Sequence, residues 1–159
     1  MSTQNKIYEL DKLIQRVDKW KNSGQKVVLT NGCFDILHLG HIDYLEKARS
    51  LGDKLLVAVN SDDSVKRLKG INRPINDQVS RMRILAALQF VDGVVSFNED
   101  TPLKLIEEIL PDILVKGRDY KIGNIVGADI VLQNGGKVKT IDLVKGYSTT
   151  NIIKKLIKQ

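Results

Sequence analysis

The sequence predicts a three-layer α/β sandwich, a five-stranded parallel sheet with helices on both faces. Two observations carry this. Short runs such as KVVLT and KLLVAV are almost wholly apolar, as in strands covered on both faces. Between such runs lie segments whose apolar residues recur with a helical period, so strands and helices alternate along the chain.

The elements follow in order. Leu10 to Lys21 places Leu10, Leu13, Ile14 and Val17 on one helical face, and Asn22-Ser23-Gly24 ends it. Lys26 to Thr30 is the first strand, with Asn31-Gly32 as the turn beyond it. His41 to Leu51 reads as a helix stopped by Gly52, and Lys54 to Val59 as the second strand. The stretch VKRLKGINRP reads as a basic loop. Asp77 begins a helix through Ile84, Leu85 and Leu88, and the third strand is Gly93 to Phe97. Thr101-Pro102 opens the next helix, with proline in the first turn, where a missing N–H costs nothing. Pro111 and Asp112 break that helix before the strand Ile113 to Lys116. A helix near Ala128 to Gln133, a turn at Asn134-Gly135-Gly136 and a strand at Lys137 to Ile141 come next. Ser148 to Ile157 closes the chain as an amphipathic helix. With 159 residues, one domain is expected, residues 1–24 as a helical extension and 25–159 as the core.

Composition narrows the function. The net charge of +6 suits anionic partners such as nucleotides and sugar phosphates. Much of the excess is surface lysine, including Lys154, Lys155 and Lys158, and no dense Arg/Lys block supports a nucleic-acid footprint. The single cysteine, Cys33, excludes an internal disulfide and a cysteine-built zinc site; it reads as a buried thiol at a strand end. MSTQNKIYELDK has no apolar signal region and no segment has the length of a membrane span, so no membrane partner and a cytoplasmic location are expected. P-loop, G-x-G-x-x-G and G-x-S-x-G patterns are absent from the sequence.

Ligands of parallel sheets sit beyond the carboxyl ends of the strands, and four polar constellations fall there. After the first strand, His38-Leu39-Gly40-His41 runs into a helix start, where N–H groups and the helix dipole favour an anion. Two imidazoles without a third ligand make a poor zinc site and good donors to a phosphate gaining charge; packed or capping histidines are the bland alternative. Gly40 lets a phosphate approach the backbone. After the second strand, Asn60-Ser61-Asp62 leads to Lys66, Arg67, Lys69 and Arg73, which suit either an acceptor phosphate or solvent. Arg81, in the first turns of a helix, gains nothing from the dipole there and fits a bound anion or a surface ion pair equally well. After the fourth strand comes Lys116-Gly117-Arg118-Asp119, and after the fifth, Gly146-Tyr147-Ser148-Thr149-Thr150. Hydroxyls at that last position cap a helix or clasp phosphates. Asp35 suits a turn cap or a magnesium contact, the former being favoured.

VVLTNGCFDILHLGH resembles the H-x-G-H signature of the nucleotidyltransferase superfamily, a Rossmann-like group that includes the cytidylyltransferases, pantetheine-phosphate adenylyltransferase and, remotely, class I aminoacyl-tRNA synthetases. VAVNSDDSVKRLKG, RPIND, RMRILAALQFVDGVV, FNEDTPLKLIEEILPDILVKG, IVGADIV and STTNIIKK are similar to the adenylyltransferase half of the bifunctional ADP-heptose synthases, from about Lys6 onward. The kinase half has no counterpart in the sequence, which fits a stand-alone form. The resemblance implies transfer of AMP from ATP, with Mg2+, to D-glycero-β-D-manno-heptose 1-phosphate, releasing pyrophosphate, and a homodimer or larger homo-oligomer. The rivals are the same chemistry with GTP, or with CTP and glycerol 3-phosphate, and an inactive nucleotide-binding module.

The resemblance also implies residue roles. His38, His41 and Lys69 would be catalytic, His41 in the transition state. Asn31, Gly32, Cys33, Phe34, His38, Gly40, His41, Lys116, Gly117, Asp119, Tyr147, Ser148, Thr149 and Thr150 would bind the nucleotide. Asn60, Lys69 and Arg81 would hold the acceptor phosphate, with magnesium carried mainly by the ATP phosphates and Asp35 as its candidate protein contact. Two departures stand out. Lys145 occupies the region where cytidylyltransferases carry an arginine, and Arg118 stands where relatives often have glycine, which opens the choice between ATP and GTP.

Overall fold

The computed structural model describes residues 2–157; Lys158 lies outside the described residues. Five strands, β1 (Val27–Gly32), β2 (Lys54–Asn60), β3 (Gly93–Phe97), β4 (Ile113–Gly117) and β5 (Lys137–Ile141), form one parallel sheet in the order β3-β2-β1-β4-β5. Seven helices connect and flank them among the described residues: α1 (Leu10–Asn22), α2 (Leu39–Arg49), α3 (Asp62–Lys69), α4 (Gln78–Ala87), α5 (Leu103–Ile109), α6 (Ala128–Gln133) and α7 (Thr149–Ile157). The chain builds β1, β2 and β3 to one side and then returns to lay β4 against β1. The order therefore reverses between β1 and β4, where an open α/β sheet parts to form a crevice.

Alternate strand residues face opposite layers, as the two-residue period of a strand requires. Leu29, Leu56, Val95 and Leu114 pack with Leu13, Val17 and Trp20 of α1 and with Leu105, Ile106 and Val131 of α5 and α6. Val28, Val57, Val94 and Val115 pack on Tyr44, Leu45 and Ala48 of α2 and on Met82 and Leu85 of α4. The amino-terminal helix is thus part of the core, its Leu13 fully buried, and not an appendage to it. The residues before it cap the sheet edge: Ile7 bridges Val94, and the Tyr8 N–H donates to the Val94 carbonyl. No helix among the described residues is long and apolar enough to cross a membrane.

Two local expectations need correction. Asn31 and Gly32 do not turn; they extend β1, paired with Ala58 and Val59 of β2. The turn comes at Phe34, which takes the left-handed φ of 48° and folds its ring back to within 3.1 Å of where a Cβ on Gly32 would stand. Gly32 is needed for this close approach. The first half of the basic loop is in fact the end of helix α3, capped by Ser61, whose hydroxyl accepts the Ser64 N–H. Acidic Asp62 and Asp63 begin it and Lys66, Arg67 and Lys69 end it, the polarity that complements a helix dipole. Its short length and few buried residues left no apolar period to read.

Candidate active site

A cleft of about 590 Å3 opens at the carboxyl ends of β1 and β4, where the strand order reverses. Its lining includes Asn31, Gly32, Cys33 and Phe34 from the end of β1 and the turn after it, His38, Gly40 and His41 from the start of α2, and Asn60 and Lys69 from the β2–α3 side. Lys116, Gly117 and Asp119 line it after β4, and Tyr147, Ser148, Thr149 and Thr150 line it before and within α7. Of the residues given a catalytic, nucleotide-binding or acceptor-phosphate role from the sequence, the fold gathers all but one into this cleft. The exception is Arg81.

His38 occupies the N-cap position of α2 without using its side chain to cap, and His41 lies one turn on. Their rings stack, centroids 3.8 Å apart and 22° from parallel. Phe34 closes on His41 from one side and Tyr147 lies over His38 on the other, with centroids 5.4 and 6.3 Å away. A Cβ on Gly40 would lie 3.1 Å from the His38 ring and 3.2 Å from the Tyr147 Cβ, so this glycine makes room for the aromatic row as well as for any ligand. Both Nδ1 atoms are buried without a partner, which leaves Nε2 as the nitrogen of each ring open to the cleft. Burial, then the neighbouring His38, pushes the His41 pKa down to about 4, and burial lowers that of His38. Both rings are neutral at pH 7 and gain a proton readily only beside an anion.

Across the cleft, Lys116 at the end of β4 donates to the Asn31 carbonyl at 3.2 Å, and its ammonium lies 5.2 Å from the Tyr120 ring centroid. Burial lowers its pKa to about 8 although Asp119 opposes the shift. The Asn31 Oδ1 atom is also buried and unpartnered. At the far wall, Ser148 caps α7, its hydroxyl accepting the Asn151 N–H. Thr149 donates its hydroxyl to the Ile36 carbonyl and ties α7 to the loop before the histidines. Capping and phosphate binding are compatible here, since both residues still line the cleft. Arg118 pairs at 2.9 Å with Asp142 on the exposed surface and takes no part in the lining.

The remaining expectations change role. Arg81 is 1% exposed, and all three of its nitrogens are spent: on the Asn76 carbonyl, on the Cys33 carbonyl at 2.6 Å and on Asp62 at 2.8 Å. It braces α4, α3 and the end of β1 and is not placed to meet a substrate phosphate. Asn60 is buried, donating to the Ser64 hydroxyl and facing the Cys33 thiol; burial raises the pKa of that thiol, and Cys33 is half-buried and free. The Asp35 carboxylate is buried and accepts from Arg73 Nε and from the Ile75 and Asn76 N–H groups. Burial alone would raise its pKa, but these bonds pull it below the usual carboxylate range. That leaves little capacity for a metal, and no group of three His, Cys, Asp or Glu among the described residues is placed to hold one.

Sequence reasoning missed Tyr44, Asp100 and Leu143 in the lining, and left Arg73 undecided between an acceptor phosphate and solvent. Tyr44 lies one turn beyond His41, its hydroxyl 2.7 Å from that of Thr30 in a buried pair that ties α2 to β1; the spacing from His41 was its available signal. Asp100 arrives from the β3–α5 connection, held by Arg67 at 2.7 Å, and nothing local marks it.

Comparison with known proteins agrees with this geometry. The cytidylyltransferase-like family matches residues 29–155. The bifunctional protein HldE of Histophilus somni (strain 129Pt) is 59% identical over 150 residues, which cover 94% of this chain and 32% of that protein. The bifunctional protein HldE of Haemophilus influenzae (strain PittEE) is 62% identical over 136 residues, 86% of this chain and 29% of that protein. The chain thus spans about a third of the length of the curated relatives it matches. A lipopolysaccharide core biosynthesis protein from Thermoplasma volcanium GSS1 superposes with a TM-score of 0.61 at 36% identity, covering 79% of this chain and 100% of that one.

Proposed function

The chain belongs to the cytidylyltransferase-like family, and from that premise we propose that it transfers AMP from ATP to D-glycero-β-D-manno-heptose 1-phosphate. The products are ADP-heptose and pyrophosphate. The observation that carries the reading is the stacked, neutral His38–His41 pair at the amino end of α2, facing Lys116 across the cleft at the strand-order reversal. Sequence similarity to the ADP-heptose synthases supports the choice of acceptor.

In this reading an oxygen of the sugar phosphate attacks the α-phosphorus of ATP in line. One P–O bond forms, the bond to the bridging oxygen breaks, and pyrophosphate leaves with the electron pair. The protein's work is positioning and charge neutralisation. The Nε2 groups of His38 and His41 meet the α-phosphate, where a developing charge draws them towards the imidazolium form in a site that otherwise disfavours it. Lys116 supplies a cation whose desolvation has been met in folding. The amino end of α7, with Ser148, Thr149 and Thr150, receives the β- and γ-phosphates. Magnesium, in this proposal, belongs to the ATP phosphates, and no step is assigned to it.

Pyrophosphate release decides the matter. A panel of ATP, GTP and CTP against heptose 1-phosphate, hexose 1-phosphates and glycerol 3-phosphate is expected to show turnover with ATP and heptose 1-phosphate. Release with another pair and not this one would overturn the substrate assignment; no release with any pair, together with unchanged ATP binding in His41→Asn, would overturn the enzymatic reading itself.

A further inference from the structure

We propose that Arg73 is the anchor for the acceptor's phosphate, held ready by the buried carboxylate of Asp35. The inference rests on the reading above and adds a binding residue to that site. Arg73 lies beyond α3, and its side chain is 18% exposed while that of Asp35 is 1% exposed. Only Nε is engaged, donating to Asp35 Oδ2 at 2.6 Å. The two terminal nitrogens have no partner among the described residues, are not buried and belong to a side chain that lines the cleft. A guanidinium fixed at one edge and unspent at the other is a pre-organised fork for a phosphate.

The contrast with Arg81 shows why the assignment moves. Both arginines follow the second strand and both pair with an aspartate. In Arg81 every nitrogen carries a hydrogen bond and the side chain is 0% exposed, so none of its donors is turned to the cleft. In Arg73 the aspartate takes one N–H of the five that a guanidinium carries. Asp35 cannot swing away with it, because the Ile75 and Asn76 N–H groups grip the same carboxylate and the Asn76 side chain donates to the Asp35 carbonyl. Orientation is therefore set before any ligand arrives, which lowers the entropy cost of binding.

Position agrees. Arg73 and Lys69 enter from the β2 side of the histidine pair, whereas Lys116 and α7 enter from the β4 and β5 side. In-line displacement needs attacking and leaving groups on opposite sides of the α-phosphorus. With pyrophosphate at α7, the acceptor falls to the side that holds Arg73.

The test is steady-state kinetics of the native chain, Arg73→Gln and Arg73→Lys with ATP and heptose 1-phosphate, each checked for folding by thermal melting. Loss of a charge-assisted pair predicts an acceptor KM raised about 10- to 100-fold, with the KM for ATP within about 3-fold. Lysine, a point charge, is expected to recover only part of the loss. A KM rise shared equally by both substrates, or an acceptor KM left unchanged, would overturn the assignment while leaving the functional reading intact. Should the native chain fail to turn over this pair, the functional reading falls and calorimetric titration with inorganic phosphate judges Arg73 alone. Binding by the native chain that Arg73→Gln abolishes supports the anchor. Equal binding by both, or none by either, sinks it.

Discussion

His38 shields His41. The face-to-face stack of the two imidazoles, closed on the other side by Phe34, keeps His41 from water and holds its pKa near 4, against an ordinary value of 6.5. Because the folded value lies below the unfolded one, the unfolded chain binds a proton that the fold refuses as pH falls. The stabilisation relative to a charged ring is therefore present above pH 6.5 and lost between pH 6.5 and about 4. Urea unfolding at pH 7.5, 5.5 and 4.5 should show this loss, on the order of 2 kcal/mol, and His41→Asn should remove most of the slope. An unchanged slope in that variant would place the acid sensitivity elsewhere.

ATP should reverse the same preference. An anion against the rings favours their protonated form, so binding near pH 6 takes up protons from solution. Calorimetry in buffers of differing ionisation enthalpy measures the uptake directly. About half a proton or more is expected for the native chain, and little for His41→Asn.

Lys116 predicts the alkaline side. Its ammonium, with a pKa lowered to about 8 by burial, is charged at neutral pH and loses its charge a little above. ATP affinity should fall about tenfold between pH 7.5 and 9.5, since an anion loses its partner. Lys116→Met should bind ATP weakly at pH 7.5 and show no such fall. A native affinity flat to pH 9.5 would mean that the ammonium does not meet the nucleotide or titrates above that range.

Gly40→Ala separates packing from folding. Alanine favours a helix over glycine by about 1 kcal/mol, yet its Cβ would lie 3.1 Å from the His38 ring. The expected outcome is a melting temperature near that of the native chain and a kcat lowered at least about tenfold by the displaced ring. Unaltered kcat would show that the row of rings yields without consequence.

Arg81→Met should cost about 3 kcal/mol in urea unfolding, because it strips three acceptors of one buried cation. Lysine should not restore it, since one ammonium cannot span the Cys33 carbonyl, the Asn76 carbonyl and Asp62. A folded, fully stable Arg81→Met with a raised acceptor KM would return this arginine to the substrate.

The five strands, the helical layer on each face and the address of the site follow from the order of residues along the chain. Those features are local: a short apolar run bounded by turn residues and alternating with helical segments reads as a buried strand, and polar residues just after such runs fall at one edge of a parallel sheet. His38, His41, Lys116 and Ser148 were legible for that reason. Which charges remain available depends on the folded arrangement. Asp35 and Arg73 are 38 residues apart, and Arg81 and Asp62 are 19 apart. A charged side chain reads alike in sequence whether its partners leave donors unspent or consume them all. Burial and partner geometry make that distinction, and both exist only once α3, α4 and the end of β1 have been brought together.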